Sequence, residues 1–197
     1  MKRANWFVCI AGAAVMLLNA SVSAQAQTVT FTRIDDATAS KFYDPATTKV
    51  DTIDRNKLII GFNKGLDSTL LKYREFRAST AAYSYTSAMD TISFSIKAPA
   101  GYYVAKVTYT QRGTGSVLRT GKASGAATWT VGDVTQSLAT FSTNPAFTRT
   151  IDLTGQNRTT VPVSITNSLF AYATPSLGSA MVHITSADLK VQLLRLP

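Results

Sequence analysis

His183 is the only histidine of the 197-residue chain and stands in the run Ala180-Met181-Val182-His183-Ile184-Thr185. The chemistry it could do is that of a general base in acyl transfer, which requires a serine and a carboxylate brought to the imidazole. The chain has no Gly-x-Ser-x-Gly turn to present such a serine. His183 also alternates with Val182 and Ile184, which predicts a position on the wetter face of a strand. A surface residue without catalytic duty is therefore expected.

Metal and phosphate chemistry are poorly served by the remaining residues. Zinc wants clustered histidine or thiolate ligands, and the single cysteine, Cys9, lies in the N-terminal apolar segment. Calcium needs only oxygen and stays open: Asp35, Asp36 and Asp44, or Asp51 and Asp54, could converge from loops. None has the spacing of a dedicated calcium loop, and turn-making carboxylates are the expected reading. No other cofactor is expected. Gly115 and Gly121-Lys122 are separated by five residues instead of four, with Ala123 where a P-loop needs a hydroxyl. The stretch Arg112 to Gly125 reads as a flexible glycine-rich loop. Paired carboxylates for glycoside hydrolysis, with Glu75 or an aspartate, are permitted but not singled out by spacing.

The remaining candidates are cations and rings. Lys72, Tyr73, Arg74 and Arg77 fall in a basic run from Arg55 to Arg77, and Arg112, Arg119 and Lys122 follow in the glycine-rich stretch. Brought together, they would make a cationic face with tyrosine beside it, suited to acidic polysaccharide or lipopolysaccharide. Nucleic acid ranks below these, and a protein partner is a further option.

The first residues explain where such a protein would work. Lys2 and Arg3 precede an apolar segment from Trp6 to Leu18 and small residues ending in Ala24-Gln25-Ala26. This is the pattern of a secretory signal peptide over residues 1–26, too short for a membrane span, and no later segment reads as one. Removing Lys2 and Arg3 from the 20 basic residues leaves 18 against 11 acidic ones, a charge of about +7 for residues 27–197. These residues suffice for one domain, expected in the periplasm or outside the cell, without disulfides.

Period-two alternation dominates what must position the candidates. Ile92, Phe94 and Ile96 alternate with serines, and Tyr103, Ala105, Val107 and Tyr109 alternate with Val104, Lys106, Thr108 and Thr110. Across Lys97-Ala98-Pro99-Ala100-Gly101 these two runs read as a β-hairpin. Ala127, Trp129 and Val131 lead through Gly132-Asp133 into Val134–Phe141, a second hairpin with Trp129 in the core. Val29–Ile34, Lys57–Phe62, Thr148–Leu153 and Val161–Ile165 read as further strands, with Pro162 implying an edge. Leu169–Ala173 reads as covered on both sides, and Ala180–Ile184 with Leu189–Leu193 as a closing pair. Asp44-Pro45 opens a surface loop, and Asp67–Arg77 leans to one short helix. The expectation is a single all-β sandwich, jelly-roll or Ig-like, with about ten strands and at most one short helix.

The run Phe94-Ser-Ile-Lys-Ala-Pro-Ala-Gly-Tyr-Tyr-Val104, followed by Val107 and the glycine-rich stretch, resembles the hairpin of exported bacterial β-sandwich domains. The resemblance covers about twenty residues, implies a sandwich and transfers no functional residue. The function expected is that of an exported, non-catalytic binding or structural protein. The alternatives are a secreted glycan-active hydrolase and a self-assembling surface or matrix subunit.

Overall fold

The computed structural model describes residues 27–32, 44–62, 66–67, 72–73, 76–81, 84–173 and 178–197. The expected signal peptide therefore lies outside the described residues. The strands are β1 (Thr30–Thr32), β2 (Asp44–Val50), β3 (Lys57–Gly61), β4 (Leu66–Asp67), β5 (Lys72–Tyr73), β6 (Phe76–Ala81) and β7 (Ser84–Lys97). They continue as β8 (Tyr102–Leu118), β9 (Lys122–Val131), β10 (Val134–Phe141), β11 (Phe147–Asp152), β12 (Thr160–Ala173) and β13 (Ser179–Arg195). There is no helix among the described residues.

Two antiparallel sheets face each other. The first has the order β1-β7-β12-β9-β10, and the second β11-β8-β13-β3-β2, with β6 pairing β13 beyond the end of β3. β4 and β5 pair only with each other. The architecture is a β-sandwich, as the alternation implied. The core between the sheets takes Ile92, Phe94 and Ile96 from β7, Trp129 and Val131 from β9, and Val161, Val163 and Ile165 from β12. Leu58, Ile60, Val107, Leu189 and Val191 meet them from the second sheet. Trp129 is 0% exposed and its ring tilts against Tyr109 at 6.0 Å. Burying side chains of this size is the main stabilising term, about 25 cal/mol for each Å² of apolar surface removed from water.

One polar chain crosses this core. The Tyr109 hydroxyl donates to Gln111 Oε1 at 2.9 Å, and Gln111 Nε2 donates to the Pro145 carbonyl at 2.9 Å. Both side chains are buried, so these bonds offset a desolvation cost that would otherwise disfavour the fold.

Several expected elements are corrected by the pairing. The runs on either side of Lys97–Gly101 do not pair with each other: β7 bonds to β1 and β12, and β8 to β11 and β13. The connection is a crossover from one sheet to the other. Alternation is the same in both cases, so it does not distinguish a hairpin from a corner. In β8 an extra residue opposite the Gln192/Leu193 step shifts the register, and Val104 joins Val107 and Tyr109 in the core.

The glycine-rich stretch is mostly strand, because β8 runs to Leu118 and β9 resumes at Lys122. Gly113 serves close approach there: a Cβ would run into the His183 carbonyl oxygen of the neighbouring strand. Asp44–Val50 is a strand with shifted register instead of a loop. The described parts of Asp67–Arg77 are strand, and the remainder of the expected helix lies outside the described residues. The closing pair is one strand, β13, whose register shift between Ile184 and Ser186 interrupts the alternation.

Pro162 is not on an edge strand, since β12 lies between β7 and β9. Its carbonyl accepts from Gly132 N at 2.8 Å, where β9 has already turned. The missing N–H of Pro162 therefore faces a position with no ladder to complete. Leu169–Ala173 is covered on one side only: Leu169, Ala171 and Ala173 are buried, while Tyr172 is 38% exposed. The hairpin of β9 and β10 holds as expected, with Gly132 at φ 63° supplying the left-handed position of a two-residue turn.

Candidate functional site: the outer face of the first sheet

The expected cations are distributed over several elements. Arg77, in β6, lies opposite His183 in register, and Thr114 of β8 flanks His183 on the other side. Lys72 and Tyr73 form β5, while Arg74 lies outside the described residues. Arg112 projects from β8, and its guanidinium Nη1 is 2.6 Å from Asp188 Oδ2. Arg119 and Lys122 sit together at the β8–β9 turn, where Arg119 takes a φ of 52° and both are exposed. His183 is half-buried between the buried Val182 and Ile184, as its alternation predicts.

Charge is divided unequally between the sheets. The five strands of the first sheet contain one acid, Asp90, which is buried and faces Asn167 in register on the core side. Their only cations are Lys97 and Lys122. In the turns of the first sheet Asp133, between β9 and β10, is paired with Arg158, and the remaining ion pairs among the described residues belong to the second sheet and its turns. Lys106 meets Asp152 at 3.1 Å, Arg112 and Lys57 meet Asp188 at 2.6 and 3.8 Å, and Lys190 reaches Asp54, in the β2–β3 turn, at 2.9 Å. Asp51 and Asp54 are further engaged with turn amides: Ile53 N donates to Asp51 at 2.9 Å and Asn56 N to Asp54 at 3.2 Å. This is the turn-making use expected of short carboxylates. No group of three or more histidine, cysteine, aspartate or glutamate residues converges among the described residues.

With its acid buried, the outer face of the first sheet is lined by hydroxyls. Residues directly opposite across an antiparallel pair share a face, so the register defines rows. Thr91, Thr166, Thr128 and Ser137 form one row across β7, β12, β9 and β10. Ser93, Ser164, Thr130 and Thr135 form the next. The hydroxyls of Thr91 and Thr166 are 2.9 Å apart, those of Ser93 and Ser164 3.3 Å, and those of Thr130 and Thr135 3.0 Å. A hydroxyl pair uses one O–H between its members and leaves one donor and further lone pairs for a ligand.

The face changes character toward its ends. One end is the Thr30–Lys97–Thr160 row, beside a shallow cleft of about 240 Å³ lined in part by Ser93, Ser95, Thr130, Pro162 and Ser164. At the other end Tyr172 pairs with Lys122, next to Phe170 opposite Ser124. Met89, 65% exposed, lies in register with Ser168 on the same face.

Uncharged hydroxyls stand out less in a sequence than the cations do. The signal was present in the serines and threonines at every second position opposite the buried residues: Ser93 and Ser95, Thr128 and Thr130, Ser164 and Thr166.

No protein-family model matches the chain, and no curated protein matches it. Among solved structures, the CBM36-1 domain of a multidomain xylanase from the hindgut metagenome of Trinervitermes trinervoides is 12% identical, with a TM-score of 0.26 over 82% of this chain and 96% of that one. The GH31 alpha-xylosidase of Xanthomonas citri is 10% identical, with a TM-score of 0.22 over 70% of this chain and 21% of that one. The infectious bursal disease virus Gx strain structure is 11% identical, with a TM-score of 0.24 over 71% of this chain and 43% of that one. The sandwich assignment rests on this chain's own strand pairing. No helix among the described residues is long and apolar enough to cross a membrane.

Proposed function

We propose that the protein is an exported, non-catalytic β-sandwich that binds anionic glycans, acidic polysaccharide or lipopolysaccharide, outside the cytoplasm. The observation that carries this reading is the division of charge. Asp51, Asp54, Asp152 and Asp188 of the second sheet and its turns are ion-paired, as is Asp133 in the β9–β10 turn, whereas among the described residues the outward positions of the first sheet's strands bear no carboxylate and end in Lys97 and Lys122. Arg119 adds a cation at the Lys122 end, and the segment with Lys72, Tyr73, Arg74 and Arg77 adds to the positive excess of the chain. An anionic polymer meets no repulsion on such a face and is attracted at its ends.

Export is supported by the Lys2-Arg3 start, the apolar segment and Ala24-Gln25-Ala26. The non-catalytic reading is supported by the lack of a Gly-x-Ser-x-Gly turn in the sequence; across the sheet His183 has Thr114 and Arg77 in register, and Glu75 lies outside the described residues.

Edge-to-edge assembly is disfavoured by the way two edges are built. β10 carries a register shift between Ser137 and Ala139. β11 places Arg149 in the row of Tyr109, where an edge-strand charge obstructs a further strand.

The test is retention of residues 27–197 on an immobilised uronic-acid polymer or lipopolysaccharide at low salt. The reading predicts retention that falls steeply as salt rises and weakens in the Arg119→Glu/Lys122→Glu variant. Absence of retention on every anionic glycan, or equal retention on a neutral one, would contradict it.

A further inference from the structure

The outer face of the first sheet is organised along β12 as well as across it. Outward positions on a strand repeat every second residue, about 6.8 Å apart. Going along β12, these positions are Thr160, Pro162, Ser164, Thr166, Ser168, Phe170 and Tyr172. Lys97 stands beside the first of them and Lys122 beside the last. Thr160 and Tyr172 are twelve residues apart, so the track is about 40 Å long at the rise of an antiparallel strand.

Three properties of this track select an occupant. Its middle is polar without charge: Ser164 and Thr166 are flanked by Ser93 and Thr91 on β7 and by Thr130 and Thr128 on β9. Each hydroxyl pair holds a donor and acceptors at the surface, the complement of a sugar's neighbouring hydroxyls. Its far end is aromatic, with Tyr172 38% exposed, and an aromatic ring covers an apolar sugar face while its hydroxyl stays wet. Its two termini are cationic, no carboxylate among the described residues stands on it, and Asp133, in the turn beside Pro162, is paired with Arg158. A neutral glycan would satisfy the first two properties and leave the lysines unused. An acidic protein segment would use the lysines and leave the hydroxyl rows without matching partners.

We infer that a single polysaccharide chain carrying uronic-acid carboxylates lies along β12, with its hydroxyls on the Ser/Thr rows, a ring against Tyr172, and carboxylates at Lys97 and Lys122. This rests on the anionic-glycan reading above and adds to it a location, a direction and a length. The hydroxyl rows supply affinity that salt does not screen, and the lysines supply the part that it does.

The experiment measures binding of size-fractionated oligouronates to residues 27–197 by calorimetry at two salt concentrations. Affinity should rise with oligomer length until the chain spans about 40 Å and then level off. The Thr130→Val/Thr166→Val variant keeps strand-favouring, β-branched side chains and removes two hydroxyls. It should bind about tenfold more weakly, a loss of about 1.4 kcal/mol, with the salt dependence unchanged. Thr130→Ser/Thr166→Ser restores the hydroxyls and should recover most of the affinity, which separates loss of contact from loss of fold. Lys122→Glu should instead reduce the salt dependence.

If the parent binds oligouronates but the valine variant binds equally well, or affinity levels off at a disaccharide, the track along β12 is wrong while anionic-glycan binding stands. If the parent binds no uronate of any length, the location proposed here falls, and retention on lipopolysaccharide decides whether the anionic-glycan reading falls with it.

Discussion

Arg112 Nη1 lies 2.6 Å from Asp188 Oδ2, and Asp188 is 7% exposed on the outward side of β13. Lys57 stands 3.8 Å from the same carboxylate. A charge this well covered is costly without a partner, so Arg112 is committed to the second sheet. The Arg112→Ala variant should lose roughly 1–2 kcal/mol of stability in urea unfolding. The estimate starts from the ~1.5–3 kcal/mol of charged hydrogen bonds and is reduced because the guanidinium is half exposed. Glycan retention by the same variant should stay within about twofold of the parent, the scale expected when only a distant surface charge changes.

The core tolerates little change of volume. Trp129→Ala removes the largest fully buried side chain and should cost about 3–5 kcal/mol. Gly113→Ala should cost roughly 1–3 kcal/mol by overpacking, because its Cβ would also come within 2.6 Å of Pro145 Cγ. Both are measured as shifts in the urea midpoint with little change in slope.

Acid and alkali should unfold the domain through different groups. The Asp152 carboxyl is held at about 2, below its ordinary 3.8, first by its bonds to the Thr154 hydroxyl and amide and then by Lys106. Asp51 and Asp133 are lowered as well, first by the Ile53 amide and by the Arg158 guanidinium respectively. Depressed carboxyls stabilise the fold fully above the unfolded value near 3.8 and lose that contribution as pH falls toward about 2. Stability measured across pH 2–5 should therefore decline toward acid, and Asp152→Asn should flatten the decline.

Burial acts in the opposite sense on Tyr109, raising its phenol well above the ordinary 10.0. Its contribution is complete below the unfolded value and is lost as pH rises through 10 and beyond, because only the unfolded chain ionises readily. Tyr109→Phe should reduce the alkaline slope while removing the hydrogen bond to Gln111.

The β11 edge offers a test of assembly. Arg149→Val replaces the obstructing charge by a β-forming apolar residue. The variant should show concentration-dependent association in sedimentation where the parent does not, and a parent that already associates would revive the self-assembling subunit.

Much of the sandwich was legible in the sequence because one buried face imposes strict alternation. Ile92, Phe94 and Ile96, Ala127, Trp129 and Val131, and Val161, Val163 and Ile165 all sit in the core as their spacing implied. Partner choice was not legible, since Phe94 and Val107 alternate alike whether their strands pair together or enter different sheets. Register shifts hid the rest. The shift near Thr185 made one 17-residue strand look like two, and the extra residue beside Val104 turned it inward against the simple period. Pro162 misled because its missing N–H matters only where a neighbouring strand continues, and β9 stops at Val131. Of the candidate site, Arg119 and Lys122 were visible as cations near the right end of the face. The hydroxyl rows emerge only when β7, β12, β9 and β10 are laid side by side.

The most direct measurement is the salt dependence of binding to a uronic-acid polymer, compared between the parent and the Lys97→Glu/Lys122→Glu variant at matched stability. The charge-segregated face predicts tight binding by the parent at low salt that weakens steadily as salt screens the exposed lysines beyond about 8 Å. The variant should bind far more weakly at low salt and approach the parent at high salt. Equal binding by the two proteins across the whole salt range, or no binding by the parent at low salt, would contradict the assignment of the first sheet's outer face as a uronic-acid-binding surface.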